Sequence, residues 1–136
     1  MRGSAISFLR FLIGIDGHSV APDGFGQSIA DDIRFARNFR LCRRVAIAWR
    51  IPTTVEMRAL DLDQLIGRFG ELTIGLADVA GRRWIVRERD WHGWPDSPRF
   101  VFFAMEDSTV WAGADFDLWP SRWQWPPEWT KSGITL

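Results

Sequence analysis

The chain has 136 residues and a mass of 15.7 kDa; 25% of the residues are charged, 46% are hydrophobic, and seventeen basic residues balance seventeen acidic ones. A single domain of this size buries enough surface for a core without disulfides or metal, and the composition excludes intrinsic disorder, collagen-like repeats and a disulfide scaffold. Zero net charge gives no overall steering towards nucleic acid or anionic lipid, so neither is expected as a partner.

Residues 5–15 place Leu9, Phe11, Ile13 and Ile15 on one face of a strand, and a helix fits this short run nearly as well. Arg10 interrupts the run, and the nearest small-x-small pattern, at Ser19 and Ala21, lies past a polar turn at Asp16, Gly17 and His18. The run therefore reads as a buried first element rather than a signal peptide. No stretch of the chain approaches the ~20 apolar residues of a membrane span. After a loop dense in turn formers, Ser28 suits a helix N-cap, with Asp31 and Asp32 in the first turn to complement the dipole. Ile29, Ile33 and Ala36 recur at helical spacing, flanked by Phe35 and Phe39, and Arg34, Arg37 and Asn38 fall on the opposite arc.

Residues 44–51 alternate Val45, Ile47, Trp49 and Ile51 on one face and read as a strand. Pro52, Thr53 and Thr54 make a turn, and Val55, Met57 and Ala59 alternate again, which predicts a hairpin. A competing reading makes Thr53 and Glu56 a capping box that opens a helix; the alternation favours the strand. Asp61 or Asp63 then caps a short helix carrying Leu62, Leu65, Ile66 and Phe69, and Gly70 stops it. Leu72, Ile74 and Leu76 alternate before a turn at residues 78–82. Trp84 and Val86 face one way in the next strand, opposite Arg83, Ile85, Arg87 and Arg89. Past the loop D-W-H-G-W-P-D-S-P, residues 99–105 are apolar on both faces, as suits a central strand, and residues 109–114 form the last strand.

The stretch W-P-S-R-W-Q-W-P-P-E-W, residues 119–129, carries too many prolines for a regular helix. The whole chain, residues 1–136, is expected to be a single α+β domain, with 119–136 an irregular Trp/Pro-rich C-terminal segment. The first six elements match a ferredoxin-like βαββαβ start, with a C-terminal β-meander after it. Two helices would cover one face of a mostly antiparallel sheet.

Eight of nine tryptophans lie from Trp84 onward, and Trp119, Trp123, Trp125 and Trp129 crowd the tail beside Arg122. Indole suits sugar rings, cations and protein hot spots, and the same rings are able to cap an open sheet face from within. Asp16 with His18 and Asp90 with His92 are two carboxylate–imidazole pairs that would form a metal or acid–base site if they converged. Their neighbours Gly17 and Gly93 mark turns, where such residues are at home structurally. Gly24 and Gly26 before the helix lack the full phosphate-loop fingerprint, and Asp31 and Asp32 would repel phosphate there.

Asp61 with Asp63, and Asp115 with Asp117, are D-x-D pairs with little force alone. Cys42 is the only cysteine, so no intrachain disulfide forms; it reads as a buried thiol at a helix end, and its isolation fits the cytoplasm. Arg34, Arg37, Arg40, Arg43 and Arg44 make the densest basic run, read as a solvated face or an interface rim. Arginine outnumbers lysine sixteen to one and tyrosine is absent, which points to a GC-rich bacterial or phage genome.

No coherent catalytic constellation emerges, and no cofactor or metal is implied. The expected function is a small non-enzymatic domain, of inhibitor, immunity or accessory-subunit type. It would dock another protein through its Trp-rich C-terminal half, with Trp119, Trp123, Trp125, Trp129 and Arg122 as the contact residues. The alternatives are a carbohydrate or small-molecule binder using stacked tryptophans, and a metal-assisted enzyme centred on the Asp/His pairs. The sequence sets no oligomeric state.

Overall fold

In the computed structural model, which describes residues 29–131, the first element is helix α1 (Ile29–Cys42). Its first turn holds Asp31 and Asp32, where negative charge offsets the positive end of the helix. The buried face is Phe35, Ala36, Phe39 and Cys42, while Arg34, Arg37 and Arg40 are exposed. Ile33 is exposed, so the stripe is centred on the phenylalanines. Asn38 is buried and donates from Nδ2 to the carbonyl of Trp111 at 2.7 Å, tying the helix to the far strand of the sheet.

The strand expected over residues 44–51 shrinks to β1 (Ile47–Ala48) and an isolated bridge between Arg50 and Leu76. Helix α2 (Thr54–Leu62) replaces the strand expected at 55–59. A reciprocal pair of bonds decides it: Glu56 N–H donates to Thr53 Oγ1 (3.1 Å), and Thr53 N–H donates to Glu56 Oε1 (2.8 Å). Arg50 then clamps both Glu56 oxygens at 2.8 Å each. Alternation in so short a run competes poorly with a closed first turn. The helix expected near Ile66 is a single 3-10 turn (Ile66–Arg68), capped by Asp63, whose Oδ1 accepts from Leu65 and Ile66 N–H.

Four strands follow as an antiparallel meander: β2 (Leu72–Val79), β3 (Arg82–Glu88), β4 (Phe100–Glu106) and β5 (Thr109–Phe116). The β2–β3 turn needs left-handed backbone at both central positions, Ala80 (φ 53°) and Gly81 (φ 79°), which matches the twist of a tight hairpin. Strands β3 and β4 are central, and β4 is buried on both faces from Phe100 to Met105, as its composition predicts. The chain is thus a small α+β domain with a mostly antiparallel sheet. The strand expected over residues 5–15, on which a ferredoxin-like start depends, lies outside the described residues.

Neighbouring residues of a strand point to opposite faces, so Phe102 and Phe103 head two different layers. Phe103 meets Phe69 (ring centroids 5.6 Å), beside the 3-10 turn and α2. Phe102 meets Phe39 of α1 (5.3 Å), Trp84 (5.5 Å) and Trp123 (5.4 Å). The two helices therefore meet opposite faces of the sheet rather than sharing one, because α1 carries a phenylalanine stripe and α2 is held largely by its polar clamp. The tail closes the Phe102 face. It contributes β6 (Trp123–Gln124), which pairs in parallel with β1, and helix α3 (Pro127–Lys131), which opens on a proline. No helix among the described residues is long and apolar enough to cross a membrane.

Two measurements test this account. Trp123 is 3% exposed, so Trp123→Ala is expected to lower unfolding stability by about 3–5 kcal/mol in urea titration. Hydrogen bonds from Arg50 first, then from Thr53 N–H, hold the Glu56 carboxyl down to about 2. Its contribution to stability is complete above the ordinary carboxylate value of about 4.3 and is lost only as pH falls towards 2. A side-chain NMR titration should place the Glu56 midpoint near 2, and Arg50→Gln should return it towards the ordinary value.

Candidate functional site

Trp119, Trp123, Trp125 and Trp129, expected to contact a partner, gather on the Phe102 face. Trp123 is buried against Trp49 (5.0 Å), Phe116 (5.7 Å) and Trp119 (5.5 Å), and its Nε1–H donates to the carbonyl of Cys42 at 3.1 Å. Trp119 is partly buried and donates from Nε1 to the carbonyl of Trp123 at 3.0 Å. Its ring stacks on Trp125 at 3.9 Å and 8°, and Trp125 lies 5.7 Å from Trp129. A sugar platform needs an open ring face, and Trp119 and Trp125 each present one face to the other. Arg122 is exposed beside this layer.

The outward tryptophans lie elsewhere. Trp91 is 81% exposed and Trp94 is 96% exposed, both on the loop between β3 and β4. The base of this loop is firmly tied. Arg89 N–H donates to the carbonyl of Arg99 (2.8 Å), Arg89 Nη1 donates to the carbonyl of Pro98 (2.7 Å), and Asp90 N–H donates to Glu71 Oε1 (2.6 Å). Arg99 bonds Glu88 (2.6 Å) through Nε and Asp117 (2.9 Å) through its backbone N–H. Nearer the tip, Gly93 N–H donates to the carbonyl of Ser97 (3.1 Å), with Gly93 at φ 95°, a backbone that favours glycine. The result is a braced stem that holds two indole rings in water.

The signal for these residues was present in the sequence as turn formers around both tryptophans, with no alternation to bury either ring. Counting tryptophans favours the tail, where they are densest; there Trp123 is buried and Trp119, Trp125 and Trp129 are partly buried.

Of the other candidates, the D-x-D pairs have structural partners and the Asp/His pairs are not brought together among the described residues. Asp90 and His92 are exposed on the same loop, while Asp16, His18, Gly24 and Gly26 lie outside the described residues. Among the described residues no three His, Cys, Asp or Glu side chains gather closely enough to hold a metal ion. Asp61 bonds Arg87 (2.9 Å), Asp63 caps the 3-10 turn, Asp115 pairs with Arg89 (3.1 Å), and Asp117 accepts from Arg99. Arg87 is 2% exposed and donates to the carbonyls of Phe69 and Gly70, to Thr73 Oγ1 and to Asp61, a cross-tie that the sequence does not reveal. No protein-family model, curated protein or solved structure matches the chain.

Burial pushes the Cys42 thiol up to about 12, with Arg82 opposing only in part. The thiolate is the reactive form, so Cys42 is expected to resist iodoacetamide at mildly alkaline pH in the folded chain and to be alkylated once urea unfolds it. Intact-mass spectrometry of the two reactions checks this.

Proposed function

We propose that the chain is a non-enzymatic protein-docking domain, of inhibitor, immunity or accessory-subunit type, that engages its partner with Trp91 and Trp94. The observation that carries this reading is the near-complete exposure of two tryptophans on one braced loop. Each indole is able to bury about 150–250 Å². Together they would supply a large share of the ~800 Å² that one partner gives to a standard interface. Tryptophan is also among the residues that dominate binding energy, and a rigid scaffold presenting a loop is the usual way to place them.

The shape favours a protein over a small ligand. Small molecules are taken up in concave sites, whereas this loop projects, and neither ring lines any of the cavities found near α1, α2 or the 3-10 turn. A projecting ring fits a pocket on its partner. The neighbouring charges weigh against a lipid headgroup surface: Asp90 and Asp96 are exposed beside the rings, and Arg89 and Arg99 are engaged in holding the stem. The tail residues Trp119, Trp123, Trp125 and Trp129 serve this reading as the layer that keeps the sheet rigid beneath the loop. The arginine-for-lysine bias supports a bacterial or phage source for the system it serves.

The test is affinity capture from the source organism's lysate at high salt, with the wild-type chain and a Trp91→Ala/Trp94→Ala variant side by side. One stoichiometric protein should remain on the wild type and be lost from the variant, a change of about thirtyfold or more in Kd for each hot-spot ring. The variant's melting point should stay close to the wild type, since both side chains are exposed. Equal retention of the same protein by both chains would overturn the assignment of these two rings.

A further inference from the structure

We infer that the chain has a second, independent binding site: a pocket at the end of α1 that takes the phosphate group of a small phosphorylated molecule. The pocket measures about 340 Å³ and is lined by Arg40, Arg43 and Arg44 on one side and by Pro120, Ser121 and Arg122 on the other. Four arginines border one concavity, and no Asp or Glu lines it.

Among the described residues most of the other arginines are paired. Arg50 is bonded to Glu56, Arg82 to Glu106, Arg83 to Asp78, Arg87 to Asp61, Arg89 to Asp115 and Arg99 to Glu88. Arg40, Arg43, Arg44 and Arg122 have no ion pair among the described residues, although the chain carries as many acidic as basic residues. Clustered like charges repel one another, and an anion between them reverses the sign.

The end of α1 does not account for the cluster. A helix C-terminus carries about half an elementary negative charge. Its last carbonyls already accept from backbone, Phe39 from Arg43 (3.0 Å), Leu41 from Arg44 (3.2 Å) and Cys42 from Val45 (3.1 Å). Three arginines, Arg40, Arg43 and Arg44, stand at that end, and Arg122 of the tail faces them across the pocket. The guanidinium of Arg43 also lies over the Phe39 ring, with Cζ 5.9 Å from its centroid.

The ligand class follows from the donors. Guanidinium forks match oxygen pairs, and several forks arriving from two segments suit a tetrahedral, multiply charged group better than a planar carboxylate with two oxygens. The volume sits at the lower end of the ~300–1,000 Å³ usual for small-molecule sites. A nucleic-acid backbone would instead call for a long stripe of phosphate contacts. Here Asp31 and Asp32 occupy the other end of the same helix, and Arg34 is paired with Asp31 (3.0 Å).

The experiment is titration of the full chain with pyrophosphate by calorimetry. One equivalent should bind saturably, and Arg44→Gln/Arg122→Gln should weaken binding roughly tenfold to hundredfold. Arg58→Gln, which removes an exposed arginine from α2, should leave the affinity unchanged, and melting curves confirm that each variant folds. Binding that is absent, or equal in the wild type and the double variant, overturns the site. Citrate binding as tightly as pyrophosphate overturns the phosphate assignment. A single-stranded oligonucleotide that binds more tightly than pyrophosphate, and that Arg37→Gln weakens, replaces the small ligand with a nucleic acid. None of these outcomes bears on Trp91 or Trp94, so the two sites stand or fall separately.

Discussion

The ring of Trp123 is where the two halves of the chain are joined. The parallel pairing of β1 with β6 has two residues on each strand, and its flanking bonds from Ile47 N–H to Arg122 and from Trp49 N–H to Gln124 are both 3.2 Å. So short a parallel ladder is weak on its own. What holds it is the indole between β1 and β6 on one side and the sheet on the other, touching Trp49, Trp84, Phe102 and Phe116. The single polar atom of that ring reaches the Cys42 carbonyl and so fixes the end of α1 against the tail. Arg122 is the next residue. Its place beside Arg40, Arg43 and Arg44 is therefore a consequence of core packing, and the basic pocket exists because the core closes this way.

The tryptophans divide into two physical kinds. Those on the Phe102 face gain burial and ring contacts, each worth about 0.5–1.5 kcal/mol beyond area. They also accept a polar penalty, since the Nε1–H groups of Trp49 and Trp84 are buried with no acceptor among the described residues. Gly75 shows how close this packing is: a Cβ there would stand 3.1 Å from the Trp49 ring. Trp91 and Trp94 gain nothing comparable among the described residues. Their rings are exposed on a stem with a bonded base, and that contrast is the physical ground for proposing them as the contact with a partner.

Much of the architecture was readable from periodicity. Helix α1, the four strands from Leu72 to Phe116, the doubly apolar β4 and the opposed faces of β3 follow from spacing; that the first of these strands belongs to the same meander as the other three, rather than closing a ferredoxin-like start, does not. The misreadings arise where two local rules compete or where contacts are distant in sequence. Residues 55–59 satisfy both strand alternation and helix capping, the alternation favours a strand, and the reciprocal Thr53–Glu56 bonds, reinforced by Arg50, make them a helix. Both helices were expected on one face because a helix pattern records that a face is apolar, not which side of a sheet receives it. Trp123 and Trp94 have the same side chain and similar proline-rich neighbours, and only the fold separates 3% from 96% exposure.

Net charge is an average, and the chain shows how much an average conceals. Seventeen cations against seventeen anions predict no long-range field, and that argument holds for a polyelectrolyte partner that samples the whole surface. It does not hold inside a pocket a few ångströms across, where the relevant sum runs over nearby side chains and is screened only beyond about 8–10 Å. On the sheet and α2 that sum is close to zero because carboxylates sit within 3.1 Å of Arg50, Arg83, Arg87, Arg89 and Arg99. At the end of α1 it is positive because four arginines and no carboxylate line the pocket. A sequence of zero net charge thus builds a basic pocket by where the fold places its arginines, and that placement is set by the same packing that turns Trp123 inward.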